Sequence, residues 1–264
     1  RALNMTLVTA WLLILGFWGS SVEGTFENGR VIGGSPAPDN AYPYHIAIWR
    51  RDWSLKWVYH CGGSIINERH VLTAAHCVSG GQDAANFRIV AGNHKLSDVQ
   101  QAVYAVSEII IHEDFERFAL NDDIAILKLN EAITYGVRIQ PVGLAEVYPP
   151  PGTNCTVTGW GLVGYPSYNT PDELQYIQLK TISLDECKAR LAPVGVAVSD
   201  EQICTLTKAG EGVCKGDSGG PLVDNASGKQ IGVVSWGPYT CASGYSDVYT
   251  NVYAYRSWIG QHSG

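Results

Sequence analysis

The chain of 264 residues is 45% hydrophobic and 16% charged, enough apolar sequence for a sizeable core in one large domain or two small ones. A net charge of −7 argues against nucleic acid, because phosphate binding needs a basic face. With 29 Gly, 14 Tyr and 8 Trp against a single Met, the composition favours strands and tight turns over helical bundles.

In chain order, residues 7–18 form an apolar run followed by Gly19, Ser20 and Ser21. The run is too short to cross a bilayer and fits a signal-peptide core, so residues 1–21 are expected to be a signal peptide. Met5 is the expected start, with residues 1–4 upstream of it, and no membrane association is expected. Secretion makes the seven cysteines legible as disulfides. There is no C-x-x-C pair, which argues against a zinc ribbon, and the odd number leaves one thiol over. Spacing alone does not fix the pairing. A polar stretch, 22–30, precedes Val31-Ile32-Gly33-Gly34. Short apolar runs then alternate with turn signals, and strands are predicted over 46–49, 64–66, 87–91, 105–111, 124–129, 156–159, 176–179 and 231–236. This spacing suggests barrels or a sandwich. Residues 134–152, with four prolines, read as a connector, and only the tail, 252–261, shows helical spacing.

Three motifs carry chemistry. Leu72-Thr73-Ala74-Ala75-His76-Cys77 reads as an apolar strand ending in a histidine, a side chain able to act as a general base near neutral pH. Asp122-Asp123-Ile124-Ala125-Ile126-Leu127-Lys128-Leu129 opens an apolar strand with a half-buried carboxylate that needs a partner, and an imidazole N–H suits it. In Cys214-Lys215-Gly216-Asp217-Ser218-Gly219-Gly220-Pro221-Leu222-Val223, glycines flank a serine. The backbone there can turn sharply and converge amide N–H groups on an oxyanion. Taken singly, each has an ordinary reading: a core or surface histidine, a strand-start turn, a Gly-Asp-Ser turn.

Together and in this order they resemble the chymotrypsin/trypsin family of serine proteases, over residues 31–264. The resemblance implies an all-β fold: two six-stranded antiparallel barrels, roughly 46–135 and 153–250, a C-terminal helix, and an active site at the barrel interface. It makes Ser218 the nucleophile, His76 the base that becomes the acid, and Asp123 the carboxylate that orients His76. Asp122 is the rival; Asp123 is preferred because it directly precedes the Ile-Ala run, and the family usually has Asn where Asp122 stands. The N–H groups of Gly216 and Ser218 would form the oxyanion hole. A trypsin-like enzyme would cut after Arg30, releasing 22–30 as an activation peptide and freeing the Val31 amine to bury itself against Asp217. The implied disulfides are Cys61–Cys77, Cys187–Cys204 and Cys214–Cys241. Cys155 is left as a free thiol, since Asp224 stands where many relatives carry its partner.

The same resemblance places the primary specificity pocket among Gly212, Val213, Ser235, Trp236, Gly237 and Asp247. Trypsin-like enzymes carry Asp where this chain has Gly212, which argues against strict Arg/Lys cleavage, and Gly237 leaves the mouth open. Asp247, in the pocket wall, would pair with a substrate Arg or Lys, be hydrated beneath an aromatic or Leu, or face away into a water network. The Gly-plus-Asp combination resembles the collagenolytic, broad-specificity digestive proteases of arthropods (brachyurins). Ser235, Trp236 and Gly237 would also add an extended substrate as a strand. The expectation is therefore a secreted digestive endopeptidase, possible site of action the gut lumen, acting as a monomer. Its expected partners are protein or peptide substrates, a trypsin-like activating protease and proteinaceous serine protease inhibitors, with no cofactor. No metal site is expected, because the loop after Gly92 starts with Asn93 and His94 where calcium-binding relatives carry acids. The aromatic and basic segment 49–57 reads as an exposed hairpin tip or as a contact to the leaving side of the substrate. Of the sequons at Asn154 and Asn225, only the second is favoured, the first lying on a strand expected to be buried. The rival readings are a non-catalytic homologue acting as a binding module, against which all three motif residues stand, and a cascade-regulatory protease with a strict basic-residue pocket.

Overall fold

Runs of Val, Ile, Leu and aromatic residues, cut short by Gly, Pro and Asp, give this chain many short strands and few helices. The computed structural model describes residues 31–264 apart from 82, 99–100, 165–169 and 239. The expected signal peptide, the activation segment and Arg30 lie outside the described residues.

After the two-residue β1 (Ser35–Pro36) come β2 (His45–Arg51), β3 (Trp57–Ile65), β4 (His70–Thr73), β5 (Phe87–Ala91), β6 (Ala102–Ile111) and β7 (Ala125–Leu129). These last six close into an antiparallel barrel in the order β2-β3-β4-β7-β6-β5. The second half contributes β8 (Gly143–Leu144), β9 (Asn154–Gly159), β10 (Gln175–Ile182), β11 (Gln202–Leu206), β12 (Pro221–Asp224), β13 (Lys229–Trp236) and β14 (Asp247–Asn251). Here β10-β11-β14-β13-β12-β9 closes through the β9–β10 pairing, with β1 and β8 attached outside the ring. Closure removes the exposed edges that open sheets carry. Strand β10 shows the period-two burial of a barrel wall, while β14 is buried at every residue. Ile46, Ile48, Ile65, Leu72, Ile89 and Leu127 fill the first barrel, and Val157, Leu222, Val234 and Tyr249 fill the second.

Several expectations change. His76 does not end a strand: β4 stops at Thr73, and His76 lies on the one-turn helix α1 (Ala75–Val78), a turn closed by the Ser79 N–H on the Ala75 carbonyl. A second helix, α2 (Leu184–Leu191), is absent from the sequence reading although its start signal is present, since the Ser183 hydroxyl accepts from Glu186 N–H. The tail helix α3 runs Arg256–Ser263, later than the spacing suggested, because Val252 and Tyr255 pack their side chains from the turns before it. Asn154 is exposed, whereas its neighbour Cys155 is buried. Strands β11, β12 and β14 are absent from the sequence reading; nearly all of their residues are buried, so they show no polar alternation.

All three disulfides form, and Cys155 is a free, buried cysteine facing Asp224 across the β9–β12 pair. Burial, and then the Asp224 charge, push its thiol pKa up to about 12, so it is held as an inert thiol. Segment 49–57 is the tip of the β2–β3 hairpin: Asp52 closes the turn by accepting from Ser54 and Lys56, and Trp53 is 95% exposed. One irregularity matters for the site. Pairing passes from Ile48 opposite Cys61 to Trp49 opposite Tyr59, leaving His60 as a β-bulge in β3.

Candidate active site

The loop entering β7 and the one-turn helix after β4 meet at the seam between the barrels. Asp123 is 1% exposed, not half-buried, and it spends its carboxylate on three donors. His76 Nδ1 lies 2.7 Å from Oδ2, His76 N–H donates to Oδ1 at 2.9 Å, and the Ser235 hydroxyl donates to Oδ2 at 2.6 Å. Gripping both the ring and the backbone of His76 fixes the imidazole's plane, and with Nδ1 donating, Nε2 is left as the basic nitrogen. The rival, Asp122, turns away and accepts from the Tyr255 hydroxyl at 2.7 Å. Thr250 Oγ1, from the second barrel, donates to the Asp123 carbonyl at 2.7 Å.

Ser218 reaches the same seam from the second barrel. Its carbonyl accepts from Gly62 N–H of β3 at 2.8 Å. A Cβ on the next residue, Gly219, would stand 2.6 Å from Gly62 O and 3.2 Å from Ala74 N, so the serine loop is docked two residues from His76. Among the described residues Ser218 and His76 share no hydrogen bond; Nε2 lies 3.8 Å from Cys77 Sγ. Catalytic hydrogen bonds are commonly long without substrate and tighten when it binds. The peptide groups around Ser218 are oriented by their carbonyls: Lys215 C=O accepts from Leu162 N–H at 2.8 Å and Asp217 C=O from Gly220 N–H at 3.0 Å. In trans peptides the N–H groups of Gly216 and Ser218 then point the opposite way, and neither is spent on an acceptor among the described residues.

Beside Ser218 opens a cavity of about 240 Å³ lined by Val213, Ser235, Trp236 and Gly237 among others. Gly212 and Asp247 lie behind that lining rather than on it. Asp247 is 4% exposed and accepts from Val213 N–H at 2.8 Å. A Cβ at Gly212 would fall 2.5 Å from Asp247 Oδ2, and one at Gly237 3.0 Å from Oδ1, so the carboxylate fits only because both positions lack a side chain. Gly212 also has φ of +133°, a conformation costly for other residues. Burial raises the Asp247 pKa to about 7, opposed by the Val213 hydrogen bond and aided by the charge of Asp217. Asp217 is itself fully buried and raised to about 7 by desolvation, although Cys214 and Gly161 N–H groups donate to it. No cation pairs with it among the described residues. Val31, fully buried beside Val213, begins the segment whose next residue bridges Gly212.

Comparison with known proteins agrees with this geometry. The family profile described as Trypsin matches residues 31–259. The chain belongs to the trypsin family. It is 39% identical to chymotrypsin-2 of Vespa crabro over 87% of this chain and 98% of that one. Against trypsin delta of Drosophila melanogaster the identity is 36%, over 88% of each. Among solved structures, mouse neuropsin, a serine protease expressed in the limbic system, superposes with a TM-score of 0.78 at 28% identity, covering 88% of this chain and 99% of that one. No helix among the described residues is long and apolar enough to cross a membrane.

Within this trypsin-family site, the structure brings His76 and Asp123 into direct contact and docks the Ser218 loop beside them. It sets Gly212 and Asp247 behind the cavity. Three contributors escape the sequence: the Ser235 hydroxyl as a partner of Asp123, Thr250, and Tyr59, whose hydroxyl meets Gly216. Each sits far along the chain from its partner, and a lone hydroxyl in a strand carries no local signal.

Proposed function

We propose that this chain is a secreted serine endopeptidase that cleaves peptide bonds through an acyl-enzyme. The observation that carries the reading is the two-point hold of Asp123 on His76 at a seam where β3 also holds the Ser218 carbonyl. In this reading Ser218 Oγ attacks the scissile carbonyl while His76 Nε2 takes its proton and then delivers it to the leaving amine. Asp123 stabilises the imidazolium, and Gly216 and Ser218 N–H receive the oxyanion. Water then attacks the ester with His76 as base again, restoring Ser218.

Cleavage after Arg30 switches the enzyme on. A buried carboxylate without a cation is unfavourable, and the new Val31 ammonium supplies one to Asp217, next to the nucleophile. The intact chain supports this order: Val31 carries φ of +52°, strained for a β-branched residue, and that torsion ceases to exist once the bond before it is cut. The cavity beside Ser218, backed by Gly212 and Asp247, supports broad primary specificity, taking aromatic residues and Leu and, through Asp247, Lys and Arg. That range fits general protein digestion outside the cell.

The test is to cut the precursor with trypsin and assay it on a peptide library alongside a Ser218→Ala variant. Wild type should turn over only after cleavage at Arg30 and should be labelled covalently at Ser218 by a fluorophosphonate; the variant should do neither. An uncut precursor as active as the processed chain would overturn the switch. A processed chain that neither cleaves nor labels would overturn the protease.

A further inference from the structure

The bulge at His60 re-aims the strand that carries it, so that Tyr59 and Gly62 of β3 both face the serine loop. Gly62 N–H holds the Ser218 carbonyl at 2.8 Å, and the Tyr59 hydroxyl donates to the Gly216 carbonyl at 2.6 Å. The carbonyl of Gly216 and the N–H of Asp217 belong to one peptide plane. That N–H is in turn fixed on Cys214 O at 3.0 Å, so the plane is pinned on both edges. On either side of it lie the two N–H groups assigned to the oxyanion. The loop needs pinning from outside. Gly216 has φ of +100° and no side chain of its own to hold, so it rotates more freely than any other residue would. Tyr59 braces its own ring: it lies edge-on to Trp160 with centroids 5.9 Å apart, and Cε1 stands 3.5 Å from the Cβ position of Gly216.

We propose that Tyr59 is a positioning residue of the first barrel that holds the oxyanion-binding peptide of the second barrel in register for the transition state. The proposal rests on the serine endopeptidase reading. Tyr59 touches no reacting atom; it acts through the Gly216–Asp217 peptide. Burial, together with the nearby charge of Asp217, keeps its phenol protonated and therefore a donor across the working pH range. Because hole donors contribute more to the transition state than to bound substrate, loosening them should lower kcat and leave KM almost alone.

The test uses the trypsin-processed chain with Tyr59→Phe, which keeps the ring and removes only the hydroxyl. The expected result is a loss of about tenfold in kcat, smaller than deletion of a hole donor, with KM within about twofold. A peptide boronate, whose tetrahedral adduct on Ser218 places an oxygen in the hole, should lose affinity in proportion to kcat/KM. The same peptide with a methylene in place of the scissile carbonyl should bind both enzymes equally. Tyr59→Phe with wild-type kcat and boronate affinity overturns the proposal while leaving the protease reading standing. Equal losses for the boronate and the methylene peptide also overturn it, since they mean general misfolding of the cleft. A wild-type processed chain without turnover overturns both.

Discussion

At the scale of single residues, two buried carboxylates set the chemistry of the second barrel. The family resemblance puts Asp247 in the pocket wall; in the structure it lies behind the cavity lining and accepts from Val213 N–H. The sequence does not reveal that the carboxylate needs Gly at both 212 and 237, since those contacts exist only after folding. Its pKa near 7, raised mainly by burial, gives the pocket a titration of its own. Under the proposed broad specificity, the neutral group below that pH would suit Leu or Phe, and the anion above it would pair with a substrate Lys or Arg. The ratio of kcat/KM for a Lys substrate to that for the matching Leu substrate should therefore rise several-fold between pH 6 and 8. A pH effect on the bond-breaking machinery common to both substrates cancels in the ratio. Asp247→Asn should hold the ratio at its low-pH value throughout. A ratio that stays flat in wild type, or still climbs in the variant, removes Asp247 from the specificity mechanism.

Among the elements, β3 and α3 act as braces on the catalytic loops from opposite sides. Strand β3 reaches the serine loop through Gly62 and Tyr59, while α3 and the turn before it reach the acid-bearing loop. The Tyr255 hydroxyl donates to Asp122, and Trp258 Nε1 donates to Glu113 at 2.9 Å. Asp122 has φ of +51°, an uncommon conformation that such a tether helps to hold. Removing the tether with Tyr255→Phe should destabilise the fold by about 1.5–3 kcal/mol, the range for a hydrogen bond to a charged group. Denaturant unfolding measures this directly; a loss well under 1 kcal/mol would mean that Asp122 is satisfied by solvent and the Tyr255 tether braces nothing. Many strands were readable as short apolar runs between turn signals, and the closed barrels followed from the resemblance. Helix α2 was missed because its apolar face amounts to Leu184, Cys187 and Leu191 over eight residues, too short a stripe for its period to register. The histidine's one-turn helix was missed for a related reason: four residues are too few for any periodicity.

For the whole molecule, the same two carboxylates tie activation to stability. Asp217 and Asp247 both move from 3.8 to about 7 on folding, so the native precursor binds protons more tightly than the unfolded chain does. Stability then falls as pH rises from about 4 to about 7, and is fully present only below the unfolded value. A three-unit shift corresponds to at most about 4 kcal/mol for each group. Processing changes one of the two. Under the proposed switch, the Val31 ammonium would give Asp217 a charge partner and remove its share of the decline, while Asp247 would keep its own. Melting temperatures of the Ser218→Ala chain, which cannot digest itself, should be measured from pH 4 to 8 before and after trypsin cleavage. The precursor should lose stability steeply over that range and the processed form less so, the gap between them widening with pH. Titrating groups outside the released segment and the new chain ends are common to both forms and cancel in the difference. A Val31→Gly chain, cut normally but with a poorly anchored terminus, should follow the precursor's curve and show weak activity in the otherwise wild-type background. Parallel curves for cut and uncut protein would mean that the new amine never reaches Asp217, and the switch would have to lie elsewhere.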